Sequence, residues 1–328
     1  MRGESVRSLP LLAELAERGV LADKAHDGRT LLQILVHAPL DAKVGAAAPI
    51  SAAMLPVCIL VELAHPGIVT QGMARSCTVT SMQLALIRTN PAEYARLVAG
   101  LFAAGVVPLR DGQALRFDAN SSHPYDGDPR LPTSRAFQSA LMQFSHPELD
   151  YAGGSAPASF VGPRSLSRLP HWLQVLAWLI APVGLLLWLS RQQSDGLEDA
   201  VWLKTASALF GRTYIETDSH GGALRARWLM QFIARGQPVL AGVYWREQGQ
   251  GHELEVVSVV GERVIMRDPS APYNGIDFDR SAGAPIPTRP GMMMVDAAQG
   301  LVSCTLGDPR FDLTFGVPKP EAKADERP

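Results

Sequence analysis

A glutamine and a cysteine six residues apart, Gln71 and Cys77, lie just ahead of a run, residues 78–88, whose apolar spacing predicts a helix. A cysteine at a helix start faces unpaired backbone N–H groups and the positive end of the helix dipole. Both favour the thiolate, the nucleophilic form of the side chain. The carboxamide of Gln71 is the kind of donor that, with a backbone N–H at the helix start, binds an oxyanion developing on an attacked carbonyl. Two parts of a nucleophilic apparatus thus fall within seven residues.

Covalent cysteine chemistry also needs a base, an imidazole whose tautomer and direction a third group fixes. Of the eight histidines, His252 opens the β-branched stretch His252-Glu-Leu-Glu-Val-Val-Ser-Val-Val260, which predicts a strand preceded by Gly249 and Gly251. Gly261-Glu262 predicts a tight turn, residues 263–267 a returning strand, and Asp268-Pro269 its end. The hairpin then carries a histidine on one arm and an acid on the other. With a two-residue loop and a regular ladder, Asp268 faces Glu255, while His252 lies three residues further along, about 10 Å away and on the opposite face. A bulge, a longer loop or strand twist has to correct both offset and parity. Asn274 and Asp277, in the loop that follows, are the reserve partners for His252.

Gln71, Cys77 before a helix, the strand-like Gly236-Gln-Pro-Val-Leu240, His252 and, sixteen residues on, Asp268-Pro269 occur in an order that resembles the papain-like cysteine peptidases. Among these it looks most like the bacteriocin-leader peptidase domains of double-glycine exporters. The resemblance covers residues 67–273, with a long insertion between the cysteine and histidine blocks, and Ser76-Cys77-Thr78 stands where the family has an acidic-Cys-Gly context. It implies an α+β, papain-like fold in which a helical lobe carrying the cysteine packs on an antiparallel sheet carrying the histidine. It also implies roles: Gln71 as oxyanion donor, Cys77 as nucleophile, His252 as base and Asp268 as its orienter. The activity implied is a cysteine protease with a protein or peptide substrate and no cofactor. A stand-alone enzyme of this kind is similar to bacterial effector or toxin proteases, which work in the bacterial cytoplasm or after delivery into a target cell.

The elements that must position these residues fall into three stretches. Residues 1–60 read as an alanine-rich N-terminal helical region broken at Ala46-Ala-Ala-Pro49. Residues 61–317 read as the peptidase domain, and 318–328 as a charged, proline-bearing, disordered tail. Within the middle stretch helices are predicted at 78–88, 91–104, 133–144 and 222–235, a turn-rich segment at 111–162, and strands from Val239 onward. The net charge of −2, with Lys and Arg scattered along 328 residues, argues against a nucleic-acid surface. Three cysteines, Cys58, Cys77 and Cys304, give no pairing framework and fit reduced thiols in a cytosolic compartment. The first 23 residues are amphipathic and charge-interrupted, unlike a secretory signal. His123, His146 and His220 lack zinc-ligand spacing, and Gly249-Gln-Gly251 lacks the third glycine and the helix of a phosphate loop, so neither a metal nor a nucleotide is expected.

From Trp172 to Leu189 the chain runs eighteen residues without a charge, part of an apolar insertion at about 169–190. That is the length of a membrane span, with Trp172 and Trp188 placed as interface anchors and Pro182 and Gly184 interrupting the middle. A single span would put Cys77 and His252 on opposite sides of the bilayer. The readings compatible with one site are a buried fold-back at Pro182, contact with a membrane surface, or contact with an apolar partner. Two other functions fit the same residues: acyl transfer of the transglutaminase or deamidase type on the same Cys–His–acid set, and a non-catalytic protein that binds a membrane or partner through 172–189.

Overall fold

The computed structural model describes residues 2–72, 74, 76–122, 124, 128–147, 149–151, 160–163, 197, 199–218, 222–246, 250–270, 292–296 and 299–320. The Trp172 to Leu189 stretch, His123, His220, Asn274, Asp277 and residues 321–328 lie outside the described residues.

The first half is helical. Helices α1 (Arg2–Glu17), α2 (Leu31–Val36), α3 (Ala42–Ala47) and α4 (Met54–Ala64) precede α5 (Cys77–Thr89), α6 (Pro91–Ala104), α7 (Ala119–Ser122) and α8 (Pro132–Ser145). A two-stranded pair, β1 (Val106–Pro108) and β2 (Ala114–Arg116), follows α6, and a second, β3 (Leu149–Tyr151) and β4 (Phe160–Pro163), follows α8. Local chemistry sets several boundaries. Thr30 and Gln33 form a reciprocal capping box at the start of α2. The Asn90 side chain accepts from Glu93 N ahead of Pro91 at the start of α6, and Gly105, at φ 68°, ends that helix in the left-handed conformation a Cβ disfavours. Leu15, Leu31, Ile34 and Ile59 belong to one buried cluster with Leu84, Leu97, Phe102 and Phe137, so the helices of residues 1–60 share their core with α5, α6 and α8.

The second half is a sheet. Helix α9 (Asp199–Phe210) leads to β5 (Tyr214–Asp218), α10 (Gly222–Ala234), β6 (Leu240–Trp245), β7 (Gln250–Val260), β8 (Arg263–Arg267), β9 (Met293–Asp296), β10 (Leu301–Thr305) and β11 (Phe311–Pro318). These strands form one seven-stranded sheet in the order β5-β11-β6-β7-β8-β10-β9, with every pairing antiparallel. Its own core joins Leu254, Val256, Val264, Met266 and Phe315 to Ala226, Leu229 and Phe232 of α10. The chain is therefore mixed α+β with antiparallel sheets. Pro318, placed by composition in the tail, closes β11 opposite Tyr214. Among the described residues no helix is long and apolar enough to cross a membrane.

Helix α5 joins the halves. Every residue from Thr78 to Ile87 is buried, so its polar side chains must find partners inside the protein. Ser81 finds one on β7, donating from Oγ to Glu253 O (2.9 Å), and the next turn adds Arg88, which donates from Nε to Glu255 Oε1 (2.5 Å) and from NH2 to Val256 O (3.2 Å). The helix that begins at Cys77 thus lies in fixed register along the strand that carries His252.

Candidate active site

The hairpin of β7 and β8 has the two-residue loop that Gly261-Glu262 predicts, with Val260 opposite Arg263. Its ladder then shifts: Ser258 faces Ile265 but Val256 faces Met266, leaving Val257 as the extra residue of a bulge. Glu255 consequently pairs with Arg267, and the same register carries Asp268 opposite Leu254. Leu254 and His252 are two residues apart and share a face, so the bulge repairs the parity that a regular ladder would break. The remaining two-residue offset is a diagonal that side chains span. His252 Nε2 and Asp268 Oδ1 are 2.7 Å apart, both residues less than a tenth exposed.

Asp268 is itself held. Its Oδ1 accepts from Ser270 N (2.8 Å) and Ser270 Oγ (2.6 Å), and Ser270 Oγ lies 3.4 Å from His252 Nε2. Burial pushes the Asp268 carboxyl up, but the His252 charge and hydrogen bond and the two bonds from Ser270 outweigh it and hold the group well below the usual carboxylate range. With Nε2 turned to Asp268, Nδ1 is the ring nitrogen left for Cys77. Burial lowers His252, yet the Asp268 carboxylate and the Cys77 sulfur raise it to about 9.

Cys77 is the first residue of a thirteen-residue helix, half-buried, with Ser76 at the N-cap making no side-chain cap bond. Its backbone N–H has no partner within the helix. Burial raises the thiol, but the hydrogen bond and charge of His252, the Glu253 backbone and the Thr78 hydroxyl, 4.0 Å from Sγ, bring it down to about 7. The sulfur therefore loses its proton before the ring does, and between these values the pair is thiolate and imidazolium. The other two thiols differ: burial, helped by Glu62 at Cys58 and by Asp308 at Cys304, pushes both up to about 12.

Gln71 is brought to the same place from the other side. Its backbone N donates to Pro269 O (2.9 Å), as does Thr70 Oγ1 (2.9 Å), so the segment ahead of Cys77 is tied to the residue after Asp268. The Gln71 Oε1 atom is buried with no hydrogen-bond partner. That oxygen is an acceptor, and the donor of the same carboxamide is Nε2.

All four sequence candidates, Gln71, Cys77, His252 and Asp268, thus meet where α5, the β7–β8 hairpin and the preceding loop converge. Among the described residues no group of His, Cys, Asp and Glu is arranged to hold a metal. Two contributors escaped the sequence reading. Ser270 follows Asp268-Pro269 at the spacing of a side-chain-capped turn, a signal that was there to read. The Glu253 backbone acts through the fold alone and has none. No protein-family model, curated protein or solved structure matches this chain, so the chemistry of the site is read from its own geometry.

Proposed function

We propose that the chain is a papain-like cysteine peptidase that cleaves a peptide bond in a protein target. One observation carries this reading: at the start of α5 the His252 imidazole brings the Cys77 thiol down to about 7, and the same ring has a nitrogen 2.7 Å from a buried carboxylate. Structural cysteines are inert because burial raises them, as it does at Cys58 and Cys304 with a nearby acid adding to it.

In the reaction the Cys77 thiolate attacks the carbonyl carbon, and the oxyanion is held by the Gln71 carboxamide and the Cys77 backbone N–H. His252 passes its Nδ1 proton to the departing amine, leaving a thioester. A water molecule, deprotonated by His252, then attacks the thioester and releases the acid and the thiolate. Asp268, with Ser270 behind it, keeps the ring turned and its charge compensated through both steps.

The test compares newly formed protein N-termini in cells producing the intact chain, Cys77→Ala and His252→Ala. Cleavage by the intact chain alone is expected. Cleavage retained by either variant removes the reading, and a target altered in mass but not split assigns the same residues to acyl transfer.

A further inference from the structure

The loop that carries Gln71 and Cys77 is tied at both ends to the side chain of Gln138. Gln138, in α8 and fully buried, donates from Nε2 to Thr70 O (3.1 Å), and its Oε1 lies 3.3 Å from Ser76 Oγ. Thr70 and Ser76 are the residues immediately before Gln71 and Cys77, so a single carboxamide spans both oxyanion donors. Between them, Tyr151 of β3 donates to Ala74 O (2.6 Å).

The direction of that carboxamide is fixed by what lies behind it. Its second N–H goes to Gln83 Oε1 (2.9 Å), and Arg130 NH1 approaches Oε1 at 3.4 Å. Gln83 Nε2 donates in turn to Tyr94 OH and Ser134 Oγ, both at 2.9 Å. Those hydroxyls donate to the two carboxyl oxygens of Glu62, at 2.5 and 2.6 Å. Along this branch, from the second Gln138 N–H through Gln83 to the two hydroxyls, each donor points toward Glu62. Turning the Gln138 amide over would set its oxygen against Thr70 O and Gln83 Oε1, and its N–H groups against Arg130. A fully buried carboxamide is a costly core residue, and an aliphatic side chain would fill the same place on α8.

We propose that Gln138 is a positioning residue that sets the spacing between the Gln71 carboxamide and the Cys77 amide, and so builds the oxyanion-binding site. This rests on the reading of Cys77 as an acyl-forming nucleophile.

The test sets two reactions of the same sulfur against each other in the full chain, with Cys77→Ala as the blank. Acylation by p-nitrophenyl acetate passes through a tetrahedral oxyanion, forming the S-acetyl bond and releasing p-nitrophenolate. Alkylation by iodoacetamide displaces iodide and forms no oxyanion. Gln138→Met is expected to slow acylation roughly tenfold and alkylation less than about twofold, and to add nothing in a Gln71→Ala background. Equal slowing of both reactions, or losses from Gln71→Ala and Gln138→Met that multiply, overturns the positioning role. Should Gln138→Met not fold, Ser76→Ala cuts the tie at the cysteine end alone and is held to the same comparison. A native ratio of acylation to alkylation no higher than that of free cysteine overturns the peptidase reading and this one with it. A higher native ratio that Gln138→Met leaves intact overturns this one only.

Discussion

At the residue scale, the three thiols provide an internal comparison, because an imidazole lowers one while burial and a nearby acid raise the other two. Iodoacetamide should label Cys77 with a rate that climbs as pH rises through about 7, while Cys58 and Cys304, pushed up to about 12, stay unlabelled at neutral pH. Turnover should follow a different curve. It rises with the thiolate through about 7 and falls as His252 loses its proton through about 9, since the leaving amine then finds no acid. A bell for turnover beside a plateau for alkylation is the expected pair, measured by mass spectrometry and by product release; a turnover curve with no alkaline fall would remove His252 as the acid. Asp268→Ala takes away the larger of the two influences that raise His252, so turnover should drop roughly 10²- to 10⁴-fold. The alkylation limb should move upward from about 7 toward an ordinary thiol. Cys77, His252 and Asp268 were legible in the sequence because each stands at the end of an element with a strong local signal. Gln138 was not, since a glutamine inside an amphipathic helix has the same local surroundings whether it ties down the loop ahead of Cys77 or faces water.

At the element scale, the hairpin turns on Val257. Its sequence neighbours Val256 and Val259 are as apolar as it is, so period-two alternation could not show which valine is unpaired. The need for a correction was visible, but its form was not. In the structure Leu254, Val256 and Val259 face the sheet core together with Val264 and Met266, a pattern that closes only if one residue between 256 and 259 drops out of the ladder. Deleting Val257 should therefore either turn His252, Leu254 and Val256 to the other face or unpair the arm that carries Asp268. Expected are a loss of Cys77 alkylation at pH 7 and a destabilisation of several kcal/mol, on the order of 1.5–3 for each apolar side chain exposed. Thermal denaturation and labelling of the same sample read both. A deletion variant that keeps the low thiol limb would show that the ring–carboxylate contact does not depend on this bulge. Helix α9 and strand β5 were missed along the sequence for a related reason: they lie beside the apolar insertion, whose continuous hydrophobicity hides where regular packing resumes.

At the scale of the whole molecule, the sulfur and the ring come from two separately packed cores, and their meeting depends on how the cores are joined. One join is steric. Trp202 of α9, buried with the helices, lies over Gly316 of β11, where an added Cβ would sit 2.1 Å from the indole. Gly316→Ala should cost about 1–3 kcal/mol or more in a thermal melt, with turnover per folded molecule unchanged. A second join is ionic and lies along α5. Glu255 is fully buried and takes Arg88 from α5 at 2.5 Å and Arg267 from β8 at 3.3 Å, so one carboxylate compensates a cation on each side of the junction. Removing it leaves both guanidinium groups without a counter-charge. Arg88 can turn its partly exposed end to water, whereas Arg267, 8 % exposed, cannot. Glu255→Ala should thus destabilise the fold by about 3–5 kcal/mol and loosen the register that sets Cys77 against His252. If stranded charge is the cause, adding Arg88→Leu and Arg267→Met to Glu255→Leu should recover most of that stability in a denaturant titration, because an apolar trio needs no compensation. A triple variant as unstable as Glu255→Ala would mean that α5 is held to β7 by shape and backbone bonds, with Ser81 to Glu253 O as the contact that matters.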